Sequence, residues 1–354
     1  MYDASVLGAA PRAPEPLEYL LTAPPEPGTT AQVADGVHWI RMPLPMELDH
    51  INLWLIEDGG GFVLVDTGLA VEPSRAAWEH LEREVLAARP LRLIVLTHLH
   101  PDHAGLAAWL HARHGVPVWT SLRTEQQIRR LLEPLAHAEL ESRRAFFRSH
   151  GLADLESIET SLSGERFRRV VGDLPAIAHH PQDLEQTSWN GRKWQWLETG
   201  GHAAGHLCLH AEASRVLVSG DQILPAISPN VSLNGWNTDA DPLGSFLASL
   251  ERLAALDPQM LVLPSHGRPF RGLRSRALAL RAHHLKHLDE LREACREPLS
   301  ASESLRVLFR RSLTGFHRFL ALGEAIAHLE HLARRGELER RVDAQGVIRF
   351  VRAA

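Results

Sequence analysis

The residues 98–103 read HLHPDH, which places three histidines and an aspartate within six positions. Imidazole and carboxylate are the donors that hold divalent cations, and a cluster this dense is the pattern of a metal centre. His98 and His100 lie two apart, so their rings can converge on one ion where a strand ends. Pro101 forces the turn that carries Asp102 and His103. Three further residues of ligand type lie at strand ends: His202 on a small-residue turn just before a strand in GGHAAGHLCLH, and Asp221 in RVLVSGDQ and His266 in MLVLPSHG just after one. Together they ask for two ions, with His98, His100 and His202 on the first, Asp102, His103 and His266 on the second, and Asp221 bridging. Two neighbouring cations can share one water and lower its pKa until hydroxide persists near neutral pH, and the same ions polarise a carbonyl or phosphoryl oxygen. That hydroxide is the expected nucleophile, and Asp102 and Asp221 are the candidate catalytic carboxylates. Asp66 in VLVDTG is either a turn or N-cap aspartate or a support for the ligands.

Ligands this far apart in sequence need rigid platforms, and strand ends along one sheet edge supply them. Residues 91–96, LRLIVL, read as a buried strand stopping at the first cluster. From Val33 the pattern is extended, with GVHWIRMPL and HINLWLIED leading through a glycine turn to GFVLVDTG, a hairpin start. A helix is expected over 72–88, and AGLAAWLHARHG and GVPVWT read as the next helix and strand. Residues of about 121–180 are charged and helical, an insertion between the two halves of the metal site. It is either a lid or substrate wall, or an outlying pair of solvated helices. Strands resume with KWQWLE, HLCLH and RVLVSG, and the alternation argues for an α/β layered domain. A helix over about 273–293 leads out to a boundary near Pro298. The remaining stretch reads as two or three helices and a hairpin turning at DAQG.

HLHPDH, GHAAGH, SGD and PSHG, in this order, resemble the signature of the metallo-β-lactamase superfamily of metal-dependent hydrolases, over roughly Val33 to Phe270. The resemblance implies an αββα sandwich with the site on one edge, Asp66 as a residue supporting the ligands, and His206 as a support that binds no metal. Asp221 stands where the best-known zinc β-lactamases carry cysteine. The site therefore resembles hydroxyacylglutathione hydrolases, lactonases and RNA-processing members, and β-lactamase activity is not expected. The flavodiiron branch has an acidic residue where this chain has His100, which disfavours a redox role. The segment 298–354 resembles a winged-helix module found after such domains.

The whole chain has 354 residues, 44% hydrophobic and 23% charged, and a formal net charge of −5, so it offers no global attraction to nucleic acid. No apolar run reaches a membrane span. Cys208 and Cys295 make no disulfide framework, and cytoplasm is the expected compartment. Residues 1–32 are expected to be a flexible or surface-draped lead. Two substrate classes compete: a small-molecule thioester, ester or lactone in a partly enclosed pocket, or RNA or single-stranded DNA guided by the C-terminal module. Ten arginines against six acidic residues from position 300 onward give that module a mild basic excess, with Arg334, Arg335, Arg340 and Arg341 as phosphate candidates. A packing or dimer-forming appendage is the other reading. The only tyrosines are Tyr2 and Tyr19, which weakens a lactonase reading. The 45 positions from Asp221 to His266 leave no room for the large insertion of dedicated nucleases. LPAISPNVSLNGW is the expected substrate-facing loop, with His50, Ser228, Asn230, Asn234 and Trp236 as candidate contacts. Zinc is the default metal, with iron or manganese also suited to the donors.

Overall fold

The computed structural model describes residues 15–20, 23–46, 48–236, 239–309 and 313–353. Two seven-stranded sheets carry the fold. The first runs in order β2 (Thr30–Ala34), β3 (Val37–Pro43), β4 (His50–Asp58), β5 (Gly61–Val65), β6 (Leu91–Val95), β7 (Val118–Trp119) and β8 (Ile177–His179). The second runs β1 (Glu18–Tyr19), β14 (Phe270–Arg271), β13 (Leu261–Pro264), β12 (Val216–Gly220), β11 (His206–Ala211), β10 (Arg192–Thr199) and β9 (Gln186–Trp189). β5, β12 and β13 are mainly apolar and buried along their length. Strands covered on both faces have that composition, and the parallel pairs β5–β6 and β12–β13 lie among them.

Three apolar clusters define the layers. Between the sheets pack Trp39, Trp54, Trp194, Trp196, Val95 and Val218. Outside the first sheet, Trp78 and Leu81 of α1 (Glu72–Leu81) and Leu110 of α3 (Ala107–His114) cover Ile40, Leu55 and Leu64. Outside the second sheet, α8 (Pro242–Ala254) and α9 (Leu273–Ala294) cover Leu217 and Val262. This is the expected αββα sandwich. α2 (Pro101–Ala104) begins at the proline of the histidine cluster, where a missing N–H costs nothing.

The insertion holds α4 (Leu122–Leu132), α5 (His137–Ser149), α6 (Glu159–Leu162) and α7 (Glu165–Val170). It closes earlier than expected, because Ile177–His179 pairs in parallel with β7; three residues are too few to show a strand period. The lead also departs from expectation. Residues 1–14, 21 and 22 lie outside the described residues, but Glu18–Tyr19 pairs with Phe270–Arg271, and β2 starts at Thr30, three residues before Val33. Tyr19 lies tilted against Phe270 and under Arg268, contacts that no local pattern announces.

The C-terminal stretch forms α10 (Ala301–Leu308), with a Ser300/Glu303 capping box, and α11 (Gly315–Arg334). The hairpin β15 (Leu338–Val342) and β16 (Ile348–Arg352) follows, its turn held by Asp343 accepting from the amides of Gln345 and Val347. Every residue from Phe319 to Leu332 is buried. Leu322, Ile326 and Leu329 share one core with Phe246, Val262 and Leu280, so α11 is packed into the sandwich. Among the described residues no helix is long and apolar enough to cross a membrane.

Candidate metal centre and pocket

All seven residues of ligand type meet at one edge of the sandwich. His98 Nε2 lies 2.9 Å from His100 Nδ1 and 3.3 Å from His202 Nε2. Donors on one tetrahedral ion, at bonds of about 2.0–2.1 Å, sit about 3.3 Å apart, so this spacing suits a shared cation. In the second set, His266 Nε2 is 3.3 Å from Asp102 Oδ2, and His103 Nε2 is 3.7 Å from the same oxygen. Asp221 joins the sets: Oδ2 is 3.4 Å from His202 Nε2, while Oδ1 is 3.5 Å from both His103 Nε2 and His266 Nε2.

The centre fits divalent ions on grounds internal to the protein. His103 Nε2 and Asp221 Oδ1 are buried without a hydrogen-bond partner, at a point where they face each other and the remaining donors. Burial and the neighbouring His103 and His100 hold His98 well below the usual imidazole range, and burial and His202 take His100 down to about 3. Both therefore offer lone pairs at neutral pH. Burial opposes charge on His266 as well, but Asp221 and Asp102 beside it raise it to about 10. Carboxylates that draw protons onto adjacent histidines mark a place where positive charge is stabilised.

Outer partners fix the rings of His98, His103, His202 and His266. Asp66, in the left-handed region at φ 62°, accepts from His103 Nδ1 at 2.7 Å and from the Thr97 amide and hydroxyl at 2.8 Å. Thr97 Oγ1 in turn accepts from His98 Nδ1 at 3.0 Å. His202 Nδ1 donates to the Asn230 carbonyl and His266 Nδ1 to that of His50, each at 2.9 Å. With Nδ1 protonated, Nε2 of each ring is free for metal. His206 joins neither set. Its Nε2 accepts from the Asp221 amide at 3.2 Å and its Nδ1 donates to Thr199 Oγ1 at 3.1 Å, which seats the bridging residue. Gly220 makes that approach possible, since a Cβ there would lie 2.5 Å from His206 Nε2.

A pocket of about 810 Å³ opens onto His100, Asp102 and His202. Its walls are Leu69 and Val71, Phe167 and Val170 of α7, Trp236, and Phe316, Phe319 and Leu320 of α11, with Arg130, Arg166 and Arg169 among its polar members. Asn230, Asn234 and Trp236 line it as expected. Two other candidates do not. His50 accepts from the Gly267 amide and so positions the His266 loop, while Ser228 is buried against His284. The α11 wall was missed because nothing local in GFHRFLAL announces a pocket. Asn52 was missed too: its amide donates to the carbonyls of Pro264 and Gly267 and its oxygen accepts from Trp39, anchoring the His266 loop. Thr97, between VL and the first histidine, was the one such residue with a positional signal.

Known proteins resemble this chain in sequence and fold. The family described as Metallo-beta-lactamase superfamily matches residues 46–266, and Metallo-beta-lactamase-like, C-terminal domain, matches 288–353. A beta-lactamase domain protein from Burkholderia ambifaria superposes with a TM-score of 0.87 at 38% identity, over 95% of this chain and 98% of that one. Acyl-coenzyme A thioesterase MBLAC2 of Homo sapiens is 28% identical over 67% of this chain and 80% of its own length. Probable metallo-hydrolase YqjP of Bacillus subtilis is 26% identical over 83% and 91%. The chain thus belongs to the metallo-β-lactamase superfamily and is a metal-dependent hydrolase of that family.

Proposed function

We propose that the protein hydrolyses a small-molecule acyl thioester, with His98, His100 and His202 holding one divalent ion, Asp102, His103 and His266 a second, and Asp221 both. Zinc is the ion we assign, because imidazole-rich sets of this spacing suit it. When bound, the ions supply Lewis acidity, polarising the scissile carbonyl and acidifying water until it ionises near neutral pH. The chain's own part is positional. Asp66 and the Asn230 and His50 carbonyls set the tautomers of His103, His202 and His266. Asp221 is aimed by His206. α7 and α11 wall the pocket beside the centre with Phe167, Val170, Phe316, Phe319 and Leu320, which gives the acyl group an apolar surface.

The observation that carries this reading is the apolar pocket at the metal edge. A partly enclosed, mainly apolar cavity of about 810 Å³ suits a small acyl compound better than a polymer. The human thioesterase relative supports the same class. Against nucleic acid stand the buried face of α11 and the pairing of Arg335, Arg340 and Arg341 with Glu337, Glu330 and Glu339. Both cysteines are buried and free, which accords with a reducing compartment such as cytoplasm. The test is a parallel screen of acyl thioesters, lactones and a bis-phosphodiester on metal-loaded protein. Thioester turnover that falls with Phe316→Ala on long acyl chains supports the proposal; phosphodiester turnover alone overturns it.

A further inference from the structure

A second concentration of imidazole lies away from the catalytic edge, between α9 and α11. α9 carries His283 and His287 four residues apart on one face, and α11 carries Glu324 and His328 with the same spacing. Ligand atoms of His283, His287 and Glu324 lie within 4.8 Å of one another, as do those of His284, Glu324 and His328. All five side chains are buried.

The two sets are not equivalent. His328 Nδ1 donates to the Glu324 carbonyl, so its Nε2 accepts from His284 Nδ1 at 3.0 Å, and His284 Nε2 then accepts from the Ser228 hydroxyl at 3.2 Å. Those rings are satisfied as neutral imidazoles. His287 is different: it is 8% exposed, and its Nδ1 is buried with no hydrogen-bond partner. Its ring centroid lies 4.2 Å from that of His283. Glu324 receives the Asn230 amide on Oε2 at 3.2 Å, leaving Oε1 for another partner. Two neutral imidazoles at helical i, i+4 spacing and a facing carboxylate are the donor set of a transition-metal clip between two helices.

We propose that His283, His287 and Glu324 form a third metal site, distinct from the catalytic pair, for a divalent ion of the zinc, cobalt and nickel class. The ion clamps α9 to α11, the helix that walls the pocket with Phe316 and Phe319. Metal binding displaces the proton that burial favours on Glu324. The residual exposure of His283 and His287, 7% and 8%, gives the ion its way in. Asn230 ties this site to the catalytic edge, since its amide donates to Glu324 and its carbonyl accepts from His202.

The test uses the full chain, stripped of metal and titrated with cobalt(II). Crystals of the wild-type protein soaked in cobalt are expected to show an anomalous peak between His283, His287 and Glu324. In solution, Asp221→Ala/His287→Leu is expected to bind about one ion fewer per chain than Asp221→Ala. No peak at that place at saturating cobalt overturns the proposal without any variant. Equal cobalt binding by the two variants, both folded by circular dichroism, also overturns it.

Discussion

Asp66→Asn separates the two catalytic ions. The side chain keeps its size, and asparagine tolerates the φ of 62° at this position, so the backbone is undisturbed. Asp66 only accepts: Oδ1 takes the Thr97 amide at 2.8 Å, both oxygens face the Thr97 hydroxyl, and Oδ2 takes His103 Nδ1 at 2.7 Å. Asparagine best keeps its oxygen toward Thr97 and turns its NH2 to His103. His103 must then accept on Nδ1 and carry its proton on Nε2, the atom facing Asp221. That tautomer cannot ligate. A hydrogen bond to a charged group contributes about 1.5–3 kcal/mol, and tenfold in affinity is about 1.4 kcal/mol. The ion held by Asp102, His103 and His266 should therefore weaken by about 10- to 100-fold. The His98 set is spared, because Thr97 keeps its acceptor and still receives His98 Nδ1. A chelator competition with zinc should resolve one weakened and one unchanged constant. Equal loss at both sites, or no loss, refutes the reasoning.

Gly220→Ala puts a Cβ 2.5 Å from His206 Nε2 at a backbone φ of 52°; about 1–3 kcal/mol of stability should go, seen in urea unfolding, with metal affinity falling in step. Glu324 is raised to about 7 by burial, with Asn230 acting against the rise. A folded pKa above the unfolded value gives stability that is complete below about 4.5 and is lost as pH climbs through about 7. In metal-free protein the difference between wild type and Glu324→Gln should therefore change across that window by about 3 kcal/mol, and a flat difference would contradict the burial. Phe316→Ala should lower kcat/KM on long-chain thioesters by about tenfold and leave acetyl thioesters nearly unchanged; equal loss on both would place Phe316 outside the acyl wall. Truncation after residue 298 should expose the core shared by Leu322, Ile326 and Val262 and yield aggregated protein, whereas a folded product would detach α11 from the sandwich.

What the sequence disclosed follows from how each feature is built. The ligands were legible because each sits within a few residues of a strand-like run, so the element and its chemistry are close in the chain. The sandwich was legible from the same runs. The pocket was only half legible: the insertion was visible as charged helix, but the wall of Phe316, Phe319 and Leu320 exists only because α11 folds back. β1 and β8 are two and three residues long, below the length at which alternation shows, and only their partners make them strands. Asn52 bonds to carbonyls more than 200 positions away, and nothing in HINLW hints at that. His283 and His287 were readable as a helix face but carried no sign that Glu324 lies opposite.

One carboxylate, Asp221, is assigned to both catalytic ions, and Asp221→Ala tests that assignment. Metal content at the His98 and His103 sets, located by anomalous scattering, should be measured beside thioester turnover on the same preparation. Both ions and turnover should disappear together in a folded variant. A folded Asp221→Ala protein that keeps both ions and hydrolyses thioesters would contradict it.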